Sequence, residues 1–192
     1  SLPSHGTTMA ETLLNAVAHA PGSANGTSVR ILPIDVFGKG EATSTFEIAS
    51  GIYSAINQGA QIVNLSLGGD AESPIIHDVI RAGHAQGVVF LGAAGNEPVA
   101  TPTWPAAYPE VIAVTATDWN GDLAPYANRG AFVDAGAPGT HIVPFQGESY
   151  RVVGTSPATA FASGIAAAIA AETGASGPNL EAQVRQSLAL EP

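Results

Sequence analysis

Residues Ala158 to Ala171 are nearly all small and apolar, without a polar stripe. A helix that is apolar all round has no face to offer water and must be buried. This constrains the fold more than any other stretch, because further layers have to cover the helix on every side. Just before it lies Gly154-Thr155-Ser156-Pro157. Gly154 and Thr155 suit a tight bend, Ser156 is a good N-cap, and Pro157 fits the first helical position, where its missing N–H is not needed. A hydroxyl is thereby set at the positive end of a buried helix, where the field favours negative charge. Two readings are open at this point: Ser156 caps the helix, or it is an acyl-transfer nucleophile.

The covering layers are legible upstream. Met9, Leu13, Ala16, Val17 and Ala20 recur at helical spacing, so His5 stands at or just before a helix start. Val29 to Asp35 is a short β-rich run. Phe46 to Ile56 predicts an amphipathic helix and Ile62 to Leu67 a strand closed by Gly68-Gly69. Pro74 to Gln86 predicts a helix, and Val88 to Leu91 a strand ending in Gly92-Ala93-Ala94-Gly95-Asn96. Further on, Val111 to Thr117, Ala131 to Ala135 and Tyr150 to Val153 read as strands, Ala137-Pro138-Gly139 as a turn, and Leu180 to Leu190 as an amphipathic helix. Strands that are continuously apolar and alternate with helices indicate a mainly parallel α/β sheet covered on both faces. Ligands of such sheets bind beyond the carboxyl ends of the strands, where Ser66-Leu67-Gly68 and Gly95-Asn96 fall.

The 192 residues fit one domain, residues 1–192, with no repeat or linker. A formal net charge of −10 argues against nucleic acid and anionic membrane surfaces as partners. With no cysteine, the chain has no disulfide, thiolate zinc site or thiol nucleophile. No apolar run approaches the length of a membrane span.

A base, an oxyanion donor and a nucleophile are what acyl transfer through a serine requires. His5, Asn96 and Ser156 are residues of those types. Around them the chain resembles the subtilisin-like serine protease family from Ser4 to about Ala171. His5-Gly6-Thr7 with Met9-Ala10 resembles its histidine box, and Asn64 to Gly68 its substrate-binding strand. Ala93 to Glu97 resembles its oxyanion segment, and Gly154 to Thr159 its serine box. Tyr108 to Val114 and Ala137 to Gly139 are also similar.

The resemblance implies a three-layer α/β fold and a serine endopeptidase, with His5 as base and then acid. Ser156 becomes the nucleophile, and the Asn96 side chain and the Ser156 N–H become the oxyanion donors. A peptide or protein substrate is expected along Ser66, Leu67 and Gly68, opposite a wall near residues 41–45. The primary pocket is expected between Ala94, Gly95 and Thr103, taking small or medium apolar side chains. Trp104-Pro105 matches a place for a cis bond. A secreted or cell-envelope location follows from the same resemblance.

One part of the pattern does not match. The family's catalytic Asp lies on a strand before the histidine box, whereas here only Ser1 to Ser4 precede His5, and Asp35 is in a different segment. The sheet is therefore expected to lack its first strands, and the chain alone to be nearly inert. The missing segment would come from the full-length protein or another chain. The rival expectation is a non-catalytic binding or scaffold module. No cofactor is required. Calcium is common in the family, but residues 21–28 carry no carboxylate. Asp134 matches a weak cation position, with a solvated carboxylate as its other reading. Asp70, Glu72, Asp118 and Asp122 read as solvated loop acids.

Overall fold

A computed structural model describes residues 2–20, 28–38, 40 and 42–190. The elements in chain order are α1 (His5–His19), α2 (Thr45–Asn57), β1 (Ile62–Leu65), α3 (Pro74–Ala85), β2 (Val89–Ala93) and β3 (Val111–Thr117). Then follow β4 (Ala135–Pro138), β5 (Thr140–Phe145), β6 (Glu148–Val153), α4 (Thr155–Thr173) and α5 (Gly177–Ser187). Strands β1-β2-β3-β4 form one parallel sheet in that order. Burial on both faces explains the unbroken apolar character of β2 and β3.

Side-chain alternation along the strands separates two cores. Val89, Leu91, Ile112 and Val114 pack with Ala158, Ala162 and Ala166 of α4 and with Leu180 and Val184 of α5. Val63, Leu65 and Phe90 face the other way, onto Ile52 of α2 and Ile76 and Ile80 of α3. Helix α1 lies against α4 on the side away from the sheet. The buried alanine helix is thus sandwiched, as its composition demands, in an α/β three-layer fold.

Several local expectations are corrected. Residues 29–34 form no strand: the stretch is irregular, and Ile34 and Val36 lie against Gly51 of α2. A strand exists only through its ladder, and among the described residues nothing pairs with the outer edge of β1. The expected strand at 131–135 is instead β4, which continues through Pro138. After Gly139 the chain enters an antiparallel β5–β6 hairpin. Its turn at Gln146-Gly147 has positive φ at both residues, 51° and 83°, which matches a type I′ hairpin turn. The loop at 21–28, apart from Ser28, lies outside the described residues.

Helix α4 also starts earlier than its sequence suggests. Its N-cap is Gly154, at φ 146°, and Thr155 is the first helical residue. Only glycine takes that backbone angle without strain. Pro157 is then third in the helix, still within the turn whose N–H groups have no intrahelical partner. Ser156 is therefore not the cap, and its hydroxyl is left for other work.

Small residues let α1 and α4 approach closely. A Cβ built on Gly164 would meet the Leu13 carbonyl and lie 2.6 Å from the Ala16 Cβ, whereas one on Gly6 meets nothing within 4 Å. Gly164→Ala is expected to destabilise the fold by about 1–3 kcal/mol through overpacking. Gly6→Ala should be neutral or stabilising by up to ~1 kcal/mol, since alanine favours a helix. Denaturant melts of the two variants measure the contrast; equal effects would contradict it.

Candidate active site

The carboxyl ends of β1 and β2 and the amino ends of α1 and α4 meet at one edge of the sheet. Ser4 caps α1 by accepting the Thr7 N–H at 3.1 Å, which fixes His5 as the first helical residue. The His5 Nε2 lies 3.2 Å from the Ser66 carbonyl just beyond β1. The Ser156 hydroxyl donates to that same carbonyl at 3.3 Å. Imidazole and hydroxyl are therefore brought together on one acceptor, with no direct hydrogen bond between them. Such bonds are often long or absent before a substrate binds.

Asn96 follows β2 directly. Its Oδ1 accepts the Thr155 N–H at 2.8 Å. Because that partner can only donate, the amide's orientation is set, and Nδ2 remains as a donor beside the start of α4. The Gly95 N–H donates to the Thr155 hydroxyl at 3.1 Å. As second residue of α4, Ser156 also keeps a backbone N–H without an intrahelical partner. Two N–H donors and the positive end of a helix thus lie together at the start of α4, a set of the kind that suits a developing oxyanion.

Ser66, Leu67 and Gly68 border a cavity of about 490 Å³ that His5 opens into and that Ile76, Trp104 and Tyr108 wall. Ala42, Thr43 and Thr45 also line it; Glu41 of the expected second wall is outside the described residues. The Trp104–Pro105 peptide is cis. Tyr108 is anchored by giving its hydroxyl proton to the Ser73 carbonyl at 3.0 Å, and His77 stacks on its ring at 4.0 Å. Burial raises the Tyr108 phenol above its ordinary range. Burial also pushes the nearby Glu110 carboxyl up. Hydrogen bonds from His77 and its own backbone, with the charges of His77 and Arg81, outweigh that and leave it below the usual carboxylate value. A second cavity, about 600 Å³, lies at the opposite edge of the sheet by Gly87 and Gly177, away from His5 and Ser156.

The expected pocket residues are also neighbours, although not all line the cavity. Ala94 is fully buried, with its N–H on the Val114 carbonyl. Thr103 stands between Gly68 and Gly95; its methyl would lie 2.9 Å from a Cβ on Gly68.

Asn128 is a residue that the sequence did not single out. It is only 2% exposed. Its Nδ2 donates to the Thr103 hydroxyl at 3.2 Å, and its Oδ1 accepts the Glu97 N–H at 2.8 Å. Its own N–H donates to the Gly95 carbonyl at 2.9 Å. It therefore ties the segment carrying Asn96 to the Thr103 side of the pocket. Gly95, at φ 107°, is the only kind of residue that fits there, because a Cβ would sit 2.5 Å from the Asn128 amide. In sequence Asn128 is a polar residue in a loop, without periodicity to mark it.

The Asp134 carboxylate, expected as a weak cation position or a solvated acid, has partners within the chain. One oxygen accepts the Ala113 N–H at 2.8 Å and the other pairs with Arg185 at 2.7 Å. Arg185 also holds Glu181, which in turn bonds His84. Among the described residues no cluster of three or more His, Asp or Glu side chains is arranged to hold a metal. Asp35 Oδ1 accepts the Phe37 and Gly38 N–H groups in a local turn. No carboxylate among the described residues bonds His5.

The Subtilase family model matches residues 1–188. Over 174 residues the chain is 34% identical to the "Thermophilic serine proteinase" of Bacillus sp. (strain AK1), covering 89% of this chain and 43% of that protein. It is 34% identical over 162 residues to "Thermitase" of Thermoactinomyces vulgaris, covering 83% of this chain and 56% of that one. The chain thus spans about half the length of these relatives. Among solved structures, "Sphericase" matches with a TM-score of 0.69 at 28% identity, over 76% of this chain and 56% of that one. "Crystal Structure of a Lanthipeptide Protease" matches in fold with a TM-score of 0.75 at 20% identity, over 95% of this chain and 66% of that one.

Removing the Asn128 amide orphans the Glu97 N–H and releases Thr103. Asn128→Ala is expected to cost about 1–3 kcal/mol, the penalty for a buried unsatisfied group plus the lost bonds. Chemical denaturation measures it, and a change below a few tenths of a kcal/mol would contradict the clamp.

Proposed function

This chain belongs to the subtilase family, a family of serine proteases, and on that premise we propose that it forms a single domain that is the greater part of a serine endopeptidase catalytic unit. The observation that carries the proposal is the meeting of His5 and Ser156 on the Ser66 carbonyl, beside the free Asn96 Nδ2. His5 takes the Ser156 proton as the hydroxyl attacks the scissile carbonyl. The tetrahedral oxyanion is held by Asn96 Nδ2 and the Ser156 N–H. His5 then gives its proton to the leaving amine, and water releases the acyl group by the same steps in reverse order. The substrate backbone lies along Ser66, Leu67 and Gly68 as an added strand. Its reacting residue points toward Ala94, Gly95 and Thr103, where small to medium apolar side chains fit.

His5 needs an acid to orient it, and we assign that carboxylate to a segment that pairs with the outer edge of β1. That segment belongs to the longer protein or to a second chain. Neither a metal nor a cofactor is required in these steps. We place the protein outside the cytoplasm, as a secreted or envelope enzyme; among the described residues no helix is long and apolar enough to cross a membrane. One observation favours the rival reading of a non-catalytic binding module: no described carboxylate reaches His5.

Labelling with a fluorophosphonate separates the two. Residues 1–192 alone should react slowly at Ser156. Supplying the upstream segment should raise the rate by a factor on the order of 10⁴, the loss expected for a triad without its acid. Within the extended protein, Asn96→Leu should lower kcat by about 10²–10³, as for loss of one oxyanion donor. No labelling of the extended protein would favour the binding module, and labelling that survives Ser156→Ala would overturn Ser156 as the nucleophile.

A further inference from the structure

The sequence presents α4 as nearly all apolar, yet three polar side chains in its first half are aligned. Ser156, Thr159 and Ser163 stand at intervals of three and four, so they fall along one side of the helix. Thr159 and Ser163 are fully buried. A buried hydroxyl is costly unless it is hydrogen-bonded. The Thr159 hydroxyl donates back to the Thr155 carbonyl at 2.7 Å. The Ser163 hydroxyl lies 2.9 Å from the Thr159 carbonyl and 3.1 Å from Asn64 Oδ1, on the neighbouring strand β1.

Asn64 carries the connection forward. Its Nδ2 donates to the Ser66 hydroxyl at 2.9 Å. That hydroxyl donates in turn to the Ser156 carbonyl at 2.9 Å. The Ser66 backbone carbonyl is the acceptor shared by Ser156 Oγ and His5. A chain of bonds thus runs from Ser163, through Asn64 and Ser66, to both ends of the Ser156 residue. The bonds of Thr155 to Gly95 and Asn96 hold the first residue of α4 to the end of β2; apolar packing against the sheet, as at Ala158, Ala162 and Ala166, tolerates small slides and rotations. The chain of bonds is directional and does not.

We propose that Asn64 and Ser163 are positioning residues that set the register of α4 on β1 and so place the Ser156 hydroxyl for attack. The proposal rests on the catalytic reading of Ser156 given above. Neither side chain touches substrate. Asn64 acts through Ser66, and Ser163 acts by orienting the Asn64 amide. In sequence Asn64 lies inside a substrate-binding segment and Ser163 inside an alanine helix, so neither announces this role. The amide is essential because it must accept at one end and donate at the other. A carboxylate of the same shape can only accept. It would keep the Ser163 bond and draw the Ser66 hydroxyl proton toward itself, releasing the Ser156 carbonyl.

The experiment uses the full-length protein with the upstream segment present. Asn64→Asp and Ser163→Ala are compared with the parent by peptide hydrolysis, fluorophosphonate labelling and thermal melting. Asn64→Asp should lower kcat and the labelling rate by about 10–100-fold, the scale of a misplaced reacting group, with KM within about twofold. Ser163→Ala should lower kcat several-fold in the same pattern, and the double variant should fall no further than Asn64→Asp alone. A purely structural role would lower the melting temperature while leaving kcat and labelling of the folded protein unchanged, and that result overturns the proposal. If one variant fails to fold, the other decides. A parent that is itself unreactive toward the probe overturns the catalytic reading, and this proposal with it. An active parent with unchanged variants overturns this proposal alone.

Discussion

The bond from the Thr155 N–H to the Asn96 amide oxygen does two jobs at once. It satisfies one of the N–H groups that a helix start leaves open, in place of a local side-chain cap, which α4 lacks. It also spends the acceptor end of the Asn96 amide, so the donor end is left free near the start of α4. The Thr155 hydroxyl returns the contact by accepting from the Gly95 N–H. Strand β2 and helix α4 are therefore joined end to end through the atoms that define the candidate site. The fold positions the chemistry here by solving an ordinary capping problem with a residue from far away in sequence.

Gly154 makes that solution possible. Its left-handed angle turns the chain out of β6 and into α4 without a residue to spare. The hydroxyl of Ser156, freed from capping, can then reach the Ser66 carbonyl. Close packing supports the arrangement from behind. Gly164 lets α1 lie against α4, and the same helix α1 carries His5 at its first position. The Ser156 hydroxyl and the His5 imidazole are thus each carried at the start of a helix, and the two helices pack against each other. On the far side of the molecule the Asp134, Arg185, Glu181 and His84 group ties α5 to β3 and α3 through partly exposed charges. Such pairs add little stability each, so the apolar cores carry the fold and the charges trim it.

The sheet is asymmetric. At one edge β4 continues into a hairpin, but at the other β1 has no strand beside it among the described residues. A row of unpaired backbone groups on an edge strand is a template for another strand. The irregular course of residues 28–38, resting on α2, has the same physical origin: an apolar run becomes a strand only when a neighbour offers its ladder. The open edge and the unaccompanied His5 lie close together in the fold. A single added segment can address both.

Local pattern was enough for much of this protein. The periodicities of α1, α2, α3 and β3 fix those elements, because burial of one stripe or both faces writes itself into neighbouring residues. The apolar run of α4 required a layered fold. His5, Asn96 and Ser156 were recognisable because their residue types and their places at element ends are local facts. What the sequence did not contain was partnership. That residues 29–34 find no ladder, that Gly154 rather than Ser156 starts α4, and that Asp134 is paired with Arg185 all depend on distant groups. So do the clamp made by Asn128 and the chain from Ser163 through Asn64. Hydrogen bonds between residues far apart leave no period in the chain; only the tertiary structure decides which donor meets which acceptor.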